Sequence, residues 1–319
     1  MTSSSQLDFV TVDVFTSKPY EGNALAIVRI PPGRTLSQDQ KQTIAGEFNL
    51  SETTFLHENG DDAKDDGWTV DIFMVSSELP FAGHPTIGTA CYVLGRTAQA
   101  RGIREGVMEG SFRLKAGRVG LRYDVARRTA KASVPHDVHV HQKRYRRDEV
   151  FALQPRLAEA HQRGGMTTRE DFPIVSIVKG MTFVLVELES EEALGMVSLA
   201  SRTLGVDGLD EEWNKTFIGS YFFVRIGKSE DGTTRLRSRM IEGPVEHPAS
   251  GSAASDLAAY LSSTEGGDNK TLRYEIVQGV EMGRRSEIFI EVEMTDGGSV
   301  SKLYVEGGAV QVMEGRLTV

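Results

Sequence analysis

The chain has 319 residues, of which 39% are hydrophobic and 25% charged, and its formal net charge is −9. This composition excludes disorder as the main state, and the acidic balance argues against a nucleic-acid partner because phosphate backbones are also negative. No stretch approaches the roughly 20 apolar residues that a membrane-spanning helix needs, and the polar start Met1–Asp8 is unlike a signal peptide. We therefore expect a cytoplasmic protein with no membrane partner.

Strand-like runs recur in both halves of the chain, because segments rich in Val, Ile and Phe dominate its apolar pattern. In chain order they are Phe9–Phe15, Ala24–Ile30, Trp68–Val75, Ile174–Ile177, Thr182–Glu187, Phe222–Ile226, Glu287–Glu293 and Leu303–Val305. Three helices are predicted among them. Ser37–Phe48 opens with a capping-box pattern and is amphipathic, whereas Pro85–Leu94 and Ser252–Leu261 carry small and apolar residues around most of their circumference, which is typical of buried helices.

A seven-residue pattern, HPxxG[ST]A, occurs once beside each predicted buried helix. The first copy is His84-Pro85-Thr86-Ile87-Gly88-Thr89-Ala90, and the second is His247-Pro248-Ala249-Ser250-Gly251-Ser252-Ala253. Because sequence match and context agree, we predict an α+β fold of two similar domains, each a β-sheet or barrel wrapped around a central helix. The polar, basic stretch between Val134 and Asp148 places the domains at 1–137 and 138–319, and the final strand is a candidate for return to the first domain.

These two loops have the composition of anion sites. Glycine lets a ligand approach the backbone, proline removes a donor that the helix would not use, and the remaining N–H groups at a helix start favour an anion. Two such loops facing each other would hold a small carboxylic acid, with His84 and His247 at its sides. The alternative is that both histidines only cap helices.

Further motifs occur in order along the chain. They are Val12-Asp13-Val14-Phe15-Thr16, Gly22-Asn23-Ala24, Ser51-Glu52-Thr53-Thr54-Phe55, Glu78-Leu79-Pro80-Phe81-Ala82-Gly83-His84-Pro85, Glu246-His247-Pro248-Ala249-Ser250-Gly251-Ser252-Ala253, Gln278-Gly279, Met282-Gly283-Arg284 and Val305-Glu306-Gly307-Gly308. Together they resemble the phenazine-biosynthesis-like isomerase family over nearly the whole chain.

The resemblance implies a diaminopimelate epimerase-like fold and catalysis without a cofactor or metal. Glu52 takes the position of the family's proton-shuttling glutamate, a role that suits a partly buried carboxylate. By the same resemblance, His84 and Ser252 orient the substrate. Its carboxylate is expected at the main chain of Gly83 and Gly251, and the neighbouring Asn23 and Ser250 complete the predicted substrate contacts.

Two positions depart from the family pattern. His247 stands where relatives have an acidic residue, in the pattern EDPxxGSA, and an imidazole there favours an anionic or neutral partner over a cationic amine. His247 also makes a second acid/base available, so we include it among the catalytic candidates. Asp71 stands where relatives tend to have arginine, which either alters the substrate side of the cleft or repacks a strand.

Other clusters are interpreted structurally. His136, His139 and His141 with Asp137 leave a tetrahedral metal set incomplete, and we predict no metal site. Cys91, the only cysteine, is predicted to be a core side chain. Because there is no second cysteine, an internal disulfide, a thiolate zinc site and a two-thiol acid/base pair are excluded. The glycine pairs at 266–267 and 297–298 lack a phosphate-loop lysine and are predicted to be hairpin turns.

The sequence therefore predicts a cofactor-independent isomerase that moves a proton on a small carboxylic acid bound between the domains. An epimerase, a racemase or a lyase on the same scaffold, and a catalytically silent protein-binding member of the family, are the alternatives. A homodimer is expected from the resemblance and from the commonness of two-fold assemblies.

Overall fold

The computed structural model describes residues 6–59, 67–205, 207–214, 218–266 and 270–319. The start of the chain at residues 1–5 and the second glycine of the pair at 266–267 therefore lie outside the described residues. The chain forms two compact units. Unit 1 comprises Met1–Pro135 and Val305–Val319, and unit 2 comprises His136–Tyr304.

Unit 1 is a closed sheet around one helix. Its elements up to residue 135 are β1 (Gln6–Val14), β2 (Asn23–Ile30), α1 (Gln38–Phe48), β3 (Thr53–His57), β4 (Gly67–Phe73), β5 (Glu78–Leu79), α2 (Gly83–Ala100), β6 (Val107–Leu114), β7 (Gly117–Asp124) and β8 (Thr129–Ser133). The strands are ordered β1-β2-β3-β4-β6-β7-β8. The last strand, β17 (Val300–Thr318), pairs with both β8 and β1 and so closes the sheet.

Two helices pack on opposite faces of the unit 1 sheet. Helix α2 lies inside, with most of its residues buried against strands on all sides, as its apolar circumference predicts. Helix α1 lies outside, and Ala45 on its inner stripe joins a cluster with Phe55 and Phe73. The predicted capping box is present, because Ser37 accepts from the Gln40 N–H and the Gln40 side chain accepts from the Ser37 N–H.

Unit 2 repeats this arrangement. Its elements are β9 (His139–Arg146), α3 (Arg147–Phe151), α4 (Pro155–Gln162), β10 (Asp171–Val178), β11 (Met181–Glu187), α5 (Glu191–Met196), β12 (Ile218–Lys228), β13 (Thr234–Glu242), β14 (Val245–His247), α6 (Gly251–Leu261), β15 (Thr271–Gln278) and β16 (Ser286–Met294). The sheet order is β9-β10-β11-β12-β13-β15-β16. Helix α6 is buried against β10, β11 and β16, and helices α3, α4 and α5 contribute to a separate apolar cluster.

The two units share the same sequence of pairings. In each, a helix connects two parallel strands (β2 and β3; β11 and β12), an antiparallel strand follows (β4; β13), and that strand pairs with a very short one (β5; β14). The buried helix comes next, and the strand after it lies parallel to β4 or β13. The predicted two-fold repeat of an α+β unit around a central helix is thus confirmed.

The register of that predicted repeat is wrong. Gly83 and Gly251 each open the buried helix of their unit, so the structure aligns His84 with Ser252. His247 instead ends β14, as Leu79 ends β5. The HPxxG[ST]A match is therefore a coincidence of composition, and only the first copy places its histidine in a helix.

Two smaller predictions have clear outcomes. Gly297 and Gly298 lie in the turn between β16 and β17, where the Thr295 N–H donates to Ser299, as expected for a hairpin. Gly266 ends a π-helical turn after α6 and is not a hairpin residue. None of the helices in the described part of the chain has the length and apolar character required to cross a membrane.

Candidate active site

Glu52 and His84 form the contact on which the candidate site is built. Glu52 immediately precedes β3, after α1 has ended at Asn49 in the left-handed conformation. One of its carboxylate oxygens, Oε2, lies 2.9 Å from Nδ1 of His84, and the two side chains are 18% and 4% exposed. Two residues that are distant in sequence therefore make a largely desolvated carboxylate–imidazole pair.

The fold fixes the geometry of this pair. His84 is the second residue of α2, and Thr89 on the same helix lies 3.0 Å from Thr54 of β3 between their hydroxyl oxygens. Side chains two apart on a strand share a face, so the contact of Thr54 with α2 also directs Glu52 toward that helix. The Glu52 side chain is thereby positioned by its place directly before a buried strand.

The first turn of α2 offers unpaired donors. Its N-cap residue, Ala82, makes no side-chain cap, and helix geometry leaves the N–H groups of Gly83 and His84 without an intrahelical acceptor. Pro85 has no N–H to satisfy, which suits a proline in the first turn. Both donors lie at the positive end of an 18-residue helix, a position that favours a negatively charged ligand.

The other ring nitrogen of His84, Nε2, is buried and has no hydrogen-bond partner among the described residues. Buried polar atoms are normally paired, so this atom marks a place where a ligand or water can complete the bonding. The hydroxyls of Ser51 and Thr53 are also buried and unpartnered there, but alternation along the chain directs them to the face opposite Glu52.

In unit 2, the first turn of α6 is the counterpart of this site. Ser250 is the N-cap, and its hydroxyl accepts from the Ala253 N–H at 3.3 Å. The same hydroxyl lies 3.3 Å from that of Ser252, and Gly251 between them is buried. The predicted residues Ser250, Gly251 and Ser252 therefore lie together at one helix start.

His247 is placed differently from the prediction. It ends β14, and its Nε2 lies 3.1 Å from a carboxylate oxygen of Glu242 on the adjacent strand. Neighbouring Glu246 is held by Arg239 through two hydrogen bonds of 2.8 Å, with both side chains under 10% exposed. A bidentate pair this buried is a structural clamp on the β13–β14 hairpin.

A buried hydrogen-bond network that contacts the backbone at His247 was not predicted from the sequence. Gln278 donates to the His247 carbonyl at 2.8 Å and accepts from the Tyr221 hydroxyl at 3.2 Å, and Ser238 donates to that hydroxyl at 2.9 Å. A Cβ at Gly279 would lie 2.5 Å from the Pro248 carbonyl oxygen, and its φ is +75°. The Gln278-Gly279 motif was visible, but its partners come from distant strands.

The remaining predicted residue of unit 1, Asn23, opens β2 and is 6% exposed. It follows Gly22, whose φ is +67° and whose Cβ would lie 2.3 Å from the Val14 carbonyl oxygen. Only glycine fits that tight turn, so the backbone at Asn23 is closely defined.

Asp71, the second departure from the family pattern, belongs to an ion-pair network on the α1 side of the sheet. Its Oδ2 accepts from Lys41 Nζ of α1 at 2.7 Å and lies 2.8 Å from His57 Nε2. Burial alone would raise the pKa of Asp71, but the contacts with His57 and Lys41 lower it. Asp71 pairs with Phe55, which packs on α1, so it lies on the opposite face from Glu52. The repacking interpretation of this position is therefore the correct one.

His139 and His141 share one face of β9, as predicted, and Asp210 joins them. Asp210 Oδ2 lies 2.7 Å from His139 Nε2, while the Asp210 N–H donates to His141 Nδ1 and His141 Nε2 lies 2.9 Å from Ser176 Oγ. Both nitrogens of His141 thus have protein partners, and burial lowers its pKa. These hydrogen bonds form a structural network around His141, and the lowered pKa favours its neutral form.

Cys91 lies in the buried part of α2, and desolvation raises the pKa of its thiol to about 12. It is therefore a protonated core side chain at neutral pH and not a nucleophile.

The fold and the site together define a class: a two-unit α+β protein with a carboxylate–imidazole pair at the start of one buried helix and a serine-capped start on the other. Residues 12–315 match the model of the family described as phenazine biosynthesis-like protein, and the chain belongs to that family. It is 31% identical to the trans-2,3-dihydro-3-hydroxyanthranilate isomerase of Pseudomonas aeruginosa, over 97% of this chain and 98% of that protein. Homologues of the chain are thus named isomerases.

Solved structures support the same fold. The PhzF-family phenazine biosynthesis protein of Bacillus anthracis superposes with a TM-score of 0.72 at 18% identity, covering 99% of this chain and all (100%) of that one. A hydroxyproline epimerase from Agrobacterium vitis superposes with a TM-score of 0.58 at 11% identity, covering 100% of this chain and 94% of that one. The predicted diaminopimelate epimerase-like fold is therefore confirmed.

Proposed function

We propose that the protein is a cofactor-independent isomerase in which Glu52 removes a proton from a small carboxylic acid and returns it to another carbon. The observation that carries this proposal is the 2.9 Å contact between Glu52 and the buried His84. A carboxylate that is mostly desolvated and held in one orientation can act first as base and then as acid. The neighbouring helix start supplies donors for a negatively charged substrate.

The proposed reaction conserves all atoms of the substrate. The Glu52 carboxylate takes a proton from a carbon activated by an adjacent double bond, and the electrons of that C–H bond move into the conjugated system. Protonated Glu52 then gives the same proton to a different carbon of that system, on the same face. His84 holds the carboxylate during both steps, and its unpartnered Nε2 provides a polar contact for the substrate.

We assign substrate binding to the two helix starts. The N–H groups of Gly83 and Gly251 bind the carboxylate, and Ser250, Ser252 and Asn23 contact the polar groups of the substrate. A Ser252 variant with raised KM and intact folding would support this assignment.

His247 distinguishes the possible outcomes of proton transfer. If its imidazole returns the proton on the opposite face, the enzyme is an epimerase or racemase, and if a leaving group departs after proton removal, it is a lyase. An imidazole in place of the family's acidic residue favours substrates without a cationic amine. We therefore include hydroxy acids beside trans-2,3-dihydro-3-hydroxyanthranilate, the compound named for the Pseudomonas relative. We also propose a homodimer.

The test is turnover in D2O with these acids, followed by mass spectrometry and NMR of the product. A shifted double bond whose new C–H keeps the substrate hydrogen is the expected result, deuterium at the original carbon indicates epimerisation, and release of a fragment indicates elimination. Glu52→Gln should lower the rate at least a thousandfold, because it removes the only proposed proton carrier. Glu47→Gln, at an exposed glutamate of α1, is the matched control and should keep the wild-type rate.

Wild-type turnover by Glu52→Gln would contradict the mechanism. If the acids neither bind nor react while a protein partner binds wild type and Glu52→Gln equally well, the chain is a binding module that retains the fold. A His247→Ala enzyme with normal turnover would remove the two-base alternative.

A further inference from the structure

A cavity lies in unit 1, beside the end of α2 that is far from His84. Its volume is about 540 Å³, and it is bordered by the second half of the helix, the loop that follows it and strands β7 and β17. Arg96, which lines it, is twelve residues beyond His84, or about 18 Å along the helix axis. This cavity is therefore separate from the Glu52–His84 pair, and it falls in the size range of sites for small organic ligands.

The charged side chains that line this cavity are all basic. Arg96, Arg104 and Arg128 line it together with two tyrosines and two glutamines, and no aspartate or glutamate is among the lining residues. Arg96 donates to Tyr92 at 3.0 Å and approaches Glu58 only to 3.6 Å, while Glu58 is bound at 2.7 Å by Arg29. On a chain with a net charge of −9, this is a local concentration of positive charge that Glu58, already paired with Arg29, balances only in part.

A cavity in unit 2 provides a contrast. It lies beside the end of α6, has a volume of about 110 Å³, and is lined by Arg169 and Arg225 together with Glu187 and Glu265. Glu265 accepts from Arg225 at 2.7 and 2.9 Å, and Glu187 accepts from Arg225 at 2.7 Å. The arginines of that cavity are therefore accompanied by carboxylates in the same wall, unlike the arginines of the unit 1 cavity.

Stabilisation of a helix C-terminus is the simplest other explanation for basic residues at this place. Arg101, the C-cap residue of α2, is the arginine in the position to do this, and it does not line the cavity. Arg104 lies beyond the helix, and Arg128 lies in the turn between β7 and β8 with φ +58°. These two side chains belong to other segments that meet at the cavity.

We propose that this cavity binds a small organic anion with at least two negative charges, carried by phosphate or carboxylate groups. Guanidinium groups bind both kinds of oxyanion in a bidentate manner, and the rings of Tyr92 and Tyr123 provide an apolar surface for the carbon skeleton. The site is independent of the proposed isomerase reaction, because it uses none of the residues assigned to that reaction.

Isothermal titration of the whole chain with pyrophosphate and with citrate tests this proposal, and inorganic phosphate serves as the smaller probe. We expect at least one of the two polyanions to bind, with an affinity that falls as salt is raised. Tighter pyrophosphate binding would identify a phosphorylated ligand, and tighter citrate binding a polycarboxylate. The double variant Arg104→Gln/Arg128→Gln should weaken binding at least tenfold, while Arg101→Gln, which removes one charge nearby, should change it less than twofold.

Three results would overturn the proposal. They are no binding of either polyanion by the wild type, equal binding by wild type and the double variant, or equal loss in Arg101→Gln and the double variant. Arg96 is left intact because it contacts both Tyr92 and Glu58. Thermal unfolding without ligand checks that the double variant, which loses the contact of Arg128 with Tyr123, is folded. Glu52→Gln should bind the polyanion like the wild type. The anion-site proposal and the isomerase proposal can therefore fail independently.

Discussion

The two units share a topology but differ in chemistry at equivalent positions. Thr53 pairs with Phe73 in unit 1, and Ser220 takes the equivalent place opposite Ile241 in unit 2. The residues that precede them, Glu52 and Gly219, are therefore equivalent. A Cβ at Gly219 would lie 2.7 Å from Met240 and 2.9 Å from Phe183, so any side chain there would require these neighbours to shift. A carboxylate at this position therefore exists only in unit 1.

The buried helices differ in the same way. His84 in the second position of α2 corresponds to Ser252 in α6, an imidazole against a hydroxyl. An imidazole can exchange a proton near neutral pH, whereas a serine hydroxyl only donates or accepts hydrogen bonds. Under the proposed function, the helix start of unit 1 serves proton transfer and that of unit 2 serves binding.

The largest expected effect tests this division of roles. His84→Ala should lower kcat/KM of the proposed isomerase about a thousandfold, because Glu52 loses the group that holds it. Ser252→Ala should lower it only about tenfold, since one hydrogen bond to the substrate is lost. Steady-state kinetics on both variants measures the difference. Losses of similar size would show that the two helix starts are chemically equivalent.

The next effect compares two equivalent glutamates in the short hairpin strands. Glu246→Gln should lower the free energy of unfolding by about 3 kcal/mol, because it leaves the charge of Arg239 buried without its bidentate partner. Glu78→Gln should cost less than about 1 kcal/mol, since its partner Lys115 is 59% exposed. Urea denaturation of both variants measures the two values. Similar costs would contradict the clamp assigned to the β13–β14 hairpin.

Much of this fold could be predicted from local sequence. Each of the eight strand-like runs overlaps an observed strand, although the first ends one residue and the third two residues beyond it. The two small-residue helices are the buried ones, since alternating and continuous apolar patterns report burial directly. Amphipathic strands with many charges, such as β7 (Gly117–Asp124), were not predicted, because the charged residues on their exposed face interrupt the apolar pattern. The short helices α3, α4 and α5 were also missed, because they cover one face of unit 2 with few apolar residues each.

The site was predictable in part. Glu52 and His84 came from motif resemblance, and their contact needed the fold, since 32 residues separate them. The register error at His247 arose because proline, glycine and small residues recur at both loops, so composition alone does not fix alignment. Strand pairing fixes the alignment of the two units, because each short strand pairs with definite residues of its neighbour.

The smallest expected effect concerns Asp256 of α6, which has no acidic counterpart in unit 1. It lies five residues after Gly251, as Gly88 lies five residues after Gly83, and a Cβ at Gly88 would lie 2.6 Å from both Leu25 and Val14. Asp256 is fully buried, and neither carboxylate oxygen has a hydrogen-bond partner in the described part of the chain. Burial raises its pKa well above the ordinary 3.8. Unit 2 therefore carries an unsatisfied acid where unit 1 has only backbone.

A raised pKa in the folded state makes stability fall as pH rises. Below pH 3.8 Asp256 is protonated in both states, and above it only the unfolded chain releases the proton, so the penalty grows until the pH reaches the folded pKa. Asp256→Asn should therefore match the wild type near pH 4 and exceed it by about 1–3 kcal/mol at neutral pH. Urea denaturation at both pH values measures this, with the exposed Asp296→Asn as control. A difference that does not change with pH would mean that Asp256 is not a buried neutral acid.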